Sequence, residues 1–410
     1  MPEAVLSRIE ALRQDLIALQ RELVARPAVG PTNEGTGEQE KADFLRSRLS
    51  EILGVEITVL NAPDDRVPCG YRPNVAAILP GFDRNRTFWI IGHTDVVPPG
   101  DTALWETEPF EVVVDGDRMI GRGTEDNHQG ILSSLLLLKA LTDTKTTPPM
   151  NLGLLFVADE ETGSAFGMRW VMENRADLFR SGDLFLVPDV GGPDGSRIEI
   201  AEKGQLWIKI TVLGRQCHAS RPALGLNSLT AAADMILRLE ALDQTRAKRP
   251  GDPLFSPPRT TITPTRKDAN VPNVNTLPGR DVFYVDCRIL PGEGVDQLLK
   301  EIEALGQEVA AERGVNVEVE VVQREESPAT SADSDIARRV FRAVSRVYEV
   351  DPRFVGVGGG TVAAFLRRAG HDVVAWATLQ EMAHQPNEYA LIGSTLKDAQ
   401  VMARALFDKA

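Results

Sequence analysis

His93 in Gly-His-Thr-Asp, Asp126 in Gly-Arg-Gly-Thr-Glu-Asp-Asn, the pair Glu160-Glu161 in Ala-Asp-Glu-Glu-Thr-Gly, Asp189 in Val-Pro-Asp and His384 in Ala-His-Gln-Pro-Asn-Glu are the residues of this chain suited to shared chemistry. Two imidazoles and three carboxylates make a donor set for two borderline-hard divalent ions, with one carboxylate left over as a base. That is the composition of a metallohydrolase centre. Taken singly, each fragment has a plainer use: His-x-Asp can be a surface ion pair, and adjacent glutamates can be a solvated turn. Residues two apart in an extended segment point to the same side, so Asp95 is expected beneath His93, accepting its second ring N–H. Glu160 and Glu161, being adjacent, project in different directions and can divide metal binding and proton transfer between them.

The elements that must position these residues are legible around them. His93, Glu160-Glu161 and Asp189 each follow a short run that is apolar on both faces, at residues 87–91, 152–157 and 183–187; a fourth run, 373–377, precedes His384. Runs of this kind, with 74–79, separated by helical patterns, predict an open, mostly parallel α/β sheet flanked by helices. In such sheets sites form outside the carboxyl ends of the strands, which would converge what the sequence separates. Residues 5–53 read as helix broken by a Pro/Gly/Asn turn at 27–37. The apolar stretch 130–141 is too short for a bilayer and reads as a buried helix.

Between about 204 and 322 the pattern switches. Leu206, Ile208, Ile210 and Val212 alternate with polar neighbours, an amphipathic helix follows at 228–242, then a strand at 282–289, a helix at 294–313 and a strand at 315–322. We expect an inserted α+β domain at 204–322 within a catalytic domain made of 1–203 and 323–410.

At 410 residues the chain is too long for one ordinary core, and its 42% hydrophobic content leaves ample material for two. Lys+Arg 45 against Asp+Glu 59 gives a net charge of -14, which argues against nucleic acid or an anionic membrane as partner. Cysteines at 69, 217 and 287 are too few and scattered for a disulfide framework, and the first residues lack a signal-peptide pattern, so a cytoplasmic protein is expected.

The ordered set of motifs resembles the co-catalytic zinc family of aminoacylases, carboxypeptidase G, acetylornithine deacetylase, succinyl-diaminopimelate desuccinylase and carnosine-type dipeptidases, over nearly the whole chain. The resemblance implies one metal on His93 and Asp189, a second on Glu161 and His384, Asp126 bridging, and Glu160 as general base, with two divalent ions, zinc above all but cobalt or manganese also compatible. It implies that His218, matched with Gly214, Ala219 and Pro222, reaches into a partner's site in a homodimer and stabilises an oxyanion; a strand-end surface histidine is the plainer alternative. Cys217 beside it reads as packing. Asn275, Arg288 and the Gly359-Gly360-Thr361 loop resemble substrate-gripping residues, although Asn275 can equally cap a turn and Arg288 can equally pair Asp286. Gly356–Thr361 lacks the Gly-Lys-Ser/Thr of a phosphate loop. His128 is expected at the surface of a helix start and His371 in a turn, neither in the site.

Two departures from the resemblance bear on substrate. Glu202-Lys203 stands where many desuccinylases carry two basic residues, and Asp189 is Asp, as in the peptide-cleaving branch, where deacylases usually have Glu. Asn-His-Gln-Gly also follows Asp126 in place of the more frequent Met-Lys-Gly, with no consequence for substrate. The sequence therefore predicts an enzyme cleaving the amide of small N-acyl amino acids, with a dipeptidase or aminopeptidase as alternative. A metal-free binding protein on the same fold is a third possibility, which the complete ligand set and base disfavour.

Overall fold

The computed structural model describes residues 3–408. Its principal strands, in chain order, are β1 (Glu56–Pro63), β2 (Tyr71–Leu79), β3 (Asp83–His93), β4 (Met150–Val157), β5 (Leu184–Gly191) and β6 (Arg197–Glu202). They continue as β7 (Gly204–Leu213), β8 (Thr261–Lys267), β9 (Arg280–Ile289), β10 (Asn316–Glu325), β11 (Arg353–Val357) and β12 (Val373–Ala377). The chain divides into two compact units, one holding the described residues up to Ile200, Thr330–Val355 and those from Thr361 onward, the other holding Ala201–Ala329 and Gly356–Gly360.

The first unit is built on an eight-stranded sheet in the order β1-β2-β4-β3-β5-β12-β6-β11. Its centre, β4-β3-β5-β12, is parallel, and antiparallel neighbours flank it on both sides. This is the α/β architecture expected from the sequence, with the added feature of antiparallel edges. The central strands are apolar on both faces because both faces are covered. Trp89, Ile91, Leu155, Val157, Phe185, Val187, Val373 and Ala375 pack with Met168 and Val171 of one helix and Val362, Ala363 and Leu366 near another. Helix Gln129–Asp143 contacts β3, β4 and β5 and is overlaid in turn by helix Ile392–Phe407. Sandwiched between them, it buries Ile131, Leu132, Leu135–Leu138 and Leu141, which explains an apolar run that never becomes amphipathic. Among the described residues no helix is long and apolar enough to cross a membrane.

The second unit is a four-stranded antiparallel sheet in the order β8-β9-β7-β10. Leu206, Ile208, Ile210 and Val212 face a core completed by Ala231, Met235 and Leu239 from helix Ser228–Arg246 and Leu298, Ile302 and Val309 from helix Val295–Arg313. The Asn227 side chain accepts from the Leu229 and Thr230 amides to start the first helix. Gly314, at φ 68°, ends the second in the left-handed conformation that glycine adopts without steric cost.

Candidate metal centre

The parallel centre of the sheet sets His93, the turn after β4 and Asp189 at one edge, since β3, β4 and β5 end on the same side. His93 is the last residue of β3 and pairs with Val157, the last of β4. Glu160–Thr162 form a short turn entered through Asp159 at φ 61°. Asp189 lies within β5, and Asn127 Nδ2 donates to its Oδ1 at 2.9 Å and to the Pro188 carbonyl at 2.6 Å. Gly92 lets this happen: a Cβ there would stand 2.6 Å from Asn127 Oδ1. Asp126 sits just ahead of helix Gln129–Asp143, in backbone that is not helical (φ −111°, ψ 97°). His384 lies in a loop after β12, itself at φ 65°.

Two groups of donors result, and Asp126 belongs to both. His93 Nε2 lies 2.9 Å from Asp126 Oδ1 and 3.6 Å from Asp189 Oδ1. His384 Nε2 lies 3.3 Å from Asp126 Oδ2 and 3.0 Å from Glu161 Oε2. Within each group the ligand atoms are no more than 4.8 Å apart. The two carboxylate oxygens of Asp126 thus face different imidazoles.

Electrostatics says what these groups lack. Burial opposes charge on His93, but hydrogen bonds to Asp126, Asp189 and Asp95 raise its pKa well above the ordinary histidine value. Hydrogen bonds to Asp126 and Glu161 raise His384 to about 10. Burial lifts Glu161 to about 7 against its bond to His384, and its Oε1 is buried with no hydrogen-bond partner. Glu160 is pushed well above the usual carboxylate value by burial, with His93 opposing and Asp189, Glu161 and Asp126 adding to the rise. The carboxylates are drawing protons onto the imidazoles, a demand for positive charge. Divalent cations answer it while leaving the imidazoles neutral and able to ligate, so the donor set fits two such ions.

Asp95 lies beneath His93 as expected, but its carboxylate has a further task. His93 Nδ1 lies 3.0 Å from the Asp95 backbone carbonyl and 3.4 Å from Asp95 Oδ1. The Asp95 carboxylate is directed to the Glu160 and Glu161 backbone amides, accepting at 3.0 Å from each, because the turn after β4 presents two free N–H groups there. It fixes the glutamate pair more than the imidazole.

His128 departs further. It is buried, not at the surface, with Lys41 Nζ 2.7 Å from its Nε2 and the Gln20 amide 3.0 Å from its Nδ1. When Lys41 is protonated its ammonium offers only protons, so Nε2 then accepts, Nδ1 carries the ring proton, and the otherwise partnerless Gln20 Oε1 is the atom suited to receive it. Burial lowers Lys41 to about 7, opposed by Asp95, Glu38 and Glu388. Beside it, buried Arg72 is paired with Glu38 and Asp159. Reading the sequence missed this cationic layer because Lys41 and Glu38 look like the solvated face of a helix.

The remaining candidates, apart from Thr361, belong to the second unit. His218 Nδ1 accepts from the Ser220 amide at 3.1 Å and lies 2.7 Å from Ser220 Oγ. Asn275 Oδ1 accepts from Asn273 Nδ2 at 2.6 Å. Arg288 forks onto Asp286 at 2.8 and 3.0 Å and donates to the Gly358 carbonyl at 2.9 Å. Gly360 lies against Gln205. Cys217 is half-buried, its Sγ near the His218 and Arg221 carbonyls. In the first unit, Thr361 Oγ1 accepts from the Ala363 amide at the start of a helix.

A family model described as peptidase family M20/M25/M40 matches residues 89–408. An uncharacterised metallohydrolase of Methanococcus maripaludis is 37% identical over 96% of this chain and 99% of its own length. A protein named succinyl-diaminopimelate desuccinylase from Cereibacter sphaeroides is 28% identical over 91% of this chain and 93% of its own. The crystal structure of aminopeptidase PepT from Bacillus cereus shares the fold at a TM-score of 0.76 and 19% identity, covering 96% of this chain and 98% of that one.

Proposed function

The chain belongs to peptidase family M20/M25/M40 and is a metallohydrolase; from that premise we propose a dinuclear amidohydrolase that cleaves the amide bond of small N-acyl amino acids. The observation that carries the proposal is Asp126, whose two oxygens face His93 and His384 separately. In this reading His93, Asp126 and Asp189 hold one ion and Asp126, Glu161 and His384 the other, with zinc the natural occupant. When bound, the ions supply Lewis-acid polarisation of the scissile carbonyl and a lowered pKa for the attacking water. Glu160 takes the proton from that water and returns it to the nitrogen of the departing amine. Asp95 acts through the backbone, its bonds to both glutamate amides keeping base and ligand aimed apart.

The desuccinylase name of the Cereibacter relative supports an N-acyl substrate. Lys203, where the resemblance expects paired basic residues, donates its ammonium protons to the Pro257 and Arg259 carbonyls at 2.8 and 2.6 Å. A succinyl carboxylate would find that charge already engaged, which favours a short uncharged acyl group. The second reading, cleavage of short peptides, is favoured by Asp at position 189. The proposal also takes the second unit as a lid and dimerisation domain. In it His218 acts in trans on the oxyanion, and Asn275, Arg288, Gly360 and Thr361 serve as substrate contacts. A cytoplasmic location accords with three free cysteines.

A mass-spectrometric screen of zinc-loaded protein against N-acetyl amino acids, N-succinyl amino acids and dipeptides tests the substrate class. Hydrolysis confined to dipeptides would transfer the enzyme to the second reading. No hydrolysis of any amide by fully loaded protein would end both.

A further inference from the structure

Two buried glutamates that the chemistry above does not use are crossed between the loops carrying Asp126 and His384. Glu388 belongs to the His384 segment. Its Oε1 accepts from the Glu125 and Asp126 amides at 2.9 and 3.0 Å, and its Oε2 from the Gly123 amide at 2.9 Å and Arg122 Nη1 at 2.6 Å. Glu125 belongs to the Asp126 segment, and it does the converse. Its carboxylate accepts from the amides of Met382 at 2.6 Å, Ala383 at 2.9 Å and Gln380. Each loop therefore inserts a carboxylate into three backbone N–H groups of the other. Bonds from amides to an ionised acceptor are among the stronger ones available to a protein.

The two halves of this exchange do unequal work. Glu388 bonds the amide of Asp126 itself, the residue common to both donor groups. Glu125 bonds the residue immediately before His384. His384 needs such support. Its side chain is 55% exposed where that of His93 is 2%. His93 is held by strand pairing, while residues 380–383, directly ahead of His384, are tied to the rest of the first unit through Glu125 and an exposed Arg197–Glu381 pair. Past His384 the chain is anchored by Asn387, whose side chain bonds the Glu106 amide and the Leu104 carbonyl, and by Glu388.

We propose that Glu125 and Glu388 are positioning residues forming a reciprocal clasp that makes the metal centre asymmetric: Glu125 is required for the ion on Glu161 and His384 alone, and Glu388 for both ions. This rests on the two-ion reading of the site. The variant Glu125→Gln puts an NH2 where the loop presents donors, leaving one oxygen for three amides, with nearly unchanged volume.

The test uses the full metal-free chain titrated with zinc alone, followed by calorimetry and plasma spectrometry, with thermal melting to verify folding. Wild type is expected to take two ions. Glu125→Gln should keep one at wild-type affinity and bind the second about ten- to a hundredfold more weakly, the usual scale for removing a group that orients ligands. Glu388→Gln should weaken both. A Glu125→Gln protein that fills two sites like wild type, or loses both equally, overturns the proposal. Amide hydrogen exchange at Met382 and Ala383 in metal-free protein supplies a readout independent of any ion, expected to quicken in Glu125→Gln. Unchanged exchange there overturns the clasp even where wild type fails to bind two ions, an outcome that would separately sink the two-ion reading. Should Glu388→Gln not fold, the Glu125→Gln titration and exchange still decide.

Discussion

The polar residues singled out in the first unit and those in the second differ in how much of their bonding capacity is already used. Glu161 has a buried oxygen with no partner, and His93 and His384 are driven toward protonation by carboxylates that face them. In the second unit Arg288 is forked onto Asp286, Asn275 is bonded to Asn273, and His218 Nδ1 is engaged by Ser220. A buried polar group is costly to leave unpaired, and at Glu161 the unpaired oxygen coincides with a cluster of metal-ligand donors. The candidates of the second unit show no such coincidence. The candidate metal-donor clusters thus lie in the first unit, while the roles proposed for the second unit are to be earned by substitution.

Metal removal should break the first side of that comparison completely. Exhaustive chelation is expected to abolish hydrolysis and added zinc, cobalt or manganese to restore it, read by the rate on whichever amide the screen identifies. Next in size is Glu160→Gln, which retains volume and both ions but loses the base. Turnover should fall about a hundredfold or more at unchanged metal content. A near wild-type rate would remove Glu160 from that role.

On the second side, His218→Ala and Glu160→Gln proteins, each inactive, should regain part of wild-type activity when mixed and allowed to exchange subunits, since one composite site inherits both residues. Exchanged but inactive mixtures would make His218 a local partner of Ser220 and nothing more. Arg288→Ala should raise KM about tenfold or more if the guanidinium also meets substrate, while Asp286→Ala leaves it nearly unchanged. Equal, small effects of the two would confine Arg288 to its bonds with Asp286.

The smallest effect concerns the cationic layer. Lys41 is held at about 7 in the folded chain, below its ordinary 10.5, so the unfolded chain binds more protons between those values. Stability linked to Lys41 therefore rises with pH through that window. The melting temperature of wild type relative to Lys41→Met should climb from pH 7 to pH 10. A constant difference would show that Lys41 does not titrate in this range.

What the sequence revealed and what it concealed follow from the same geometry. His93, Glu160, Glu161 and Asp189 were legible because each adjoins a run apolar on both faces, and parallel strands of that kind bring their ends together. The edge strands β1 and β11 were not, since sheet edges mix polar and apolar residues and carry no such run; nor was β6, next to the edge, which interleaves Glu199 and Glu202 with its apolar residues. Glu125 and Glu388 stand inside the recognised motifs, yet their partners are backbone amides more than 250 residues away, and backbone amides have no sequence signature. Lys41 and His128 failed for a related reason. Charged residues are almost always exposed unless paired, and the pairing spans 87 positions.

The most direct test of the account is the zinc content of wild type beside Asp126→Ala. Because a single carboxylate serves both donor groups, wild type should hold two ions per chain, and Asp126→Ala should bind each of them far more weakly. An Asp126→Ala protein that retains one ion at full occupancy and wild-type affinity would contradict the shared carboxylate on which the account rests.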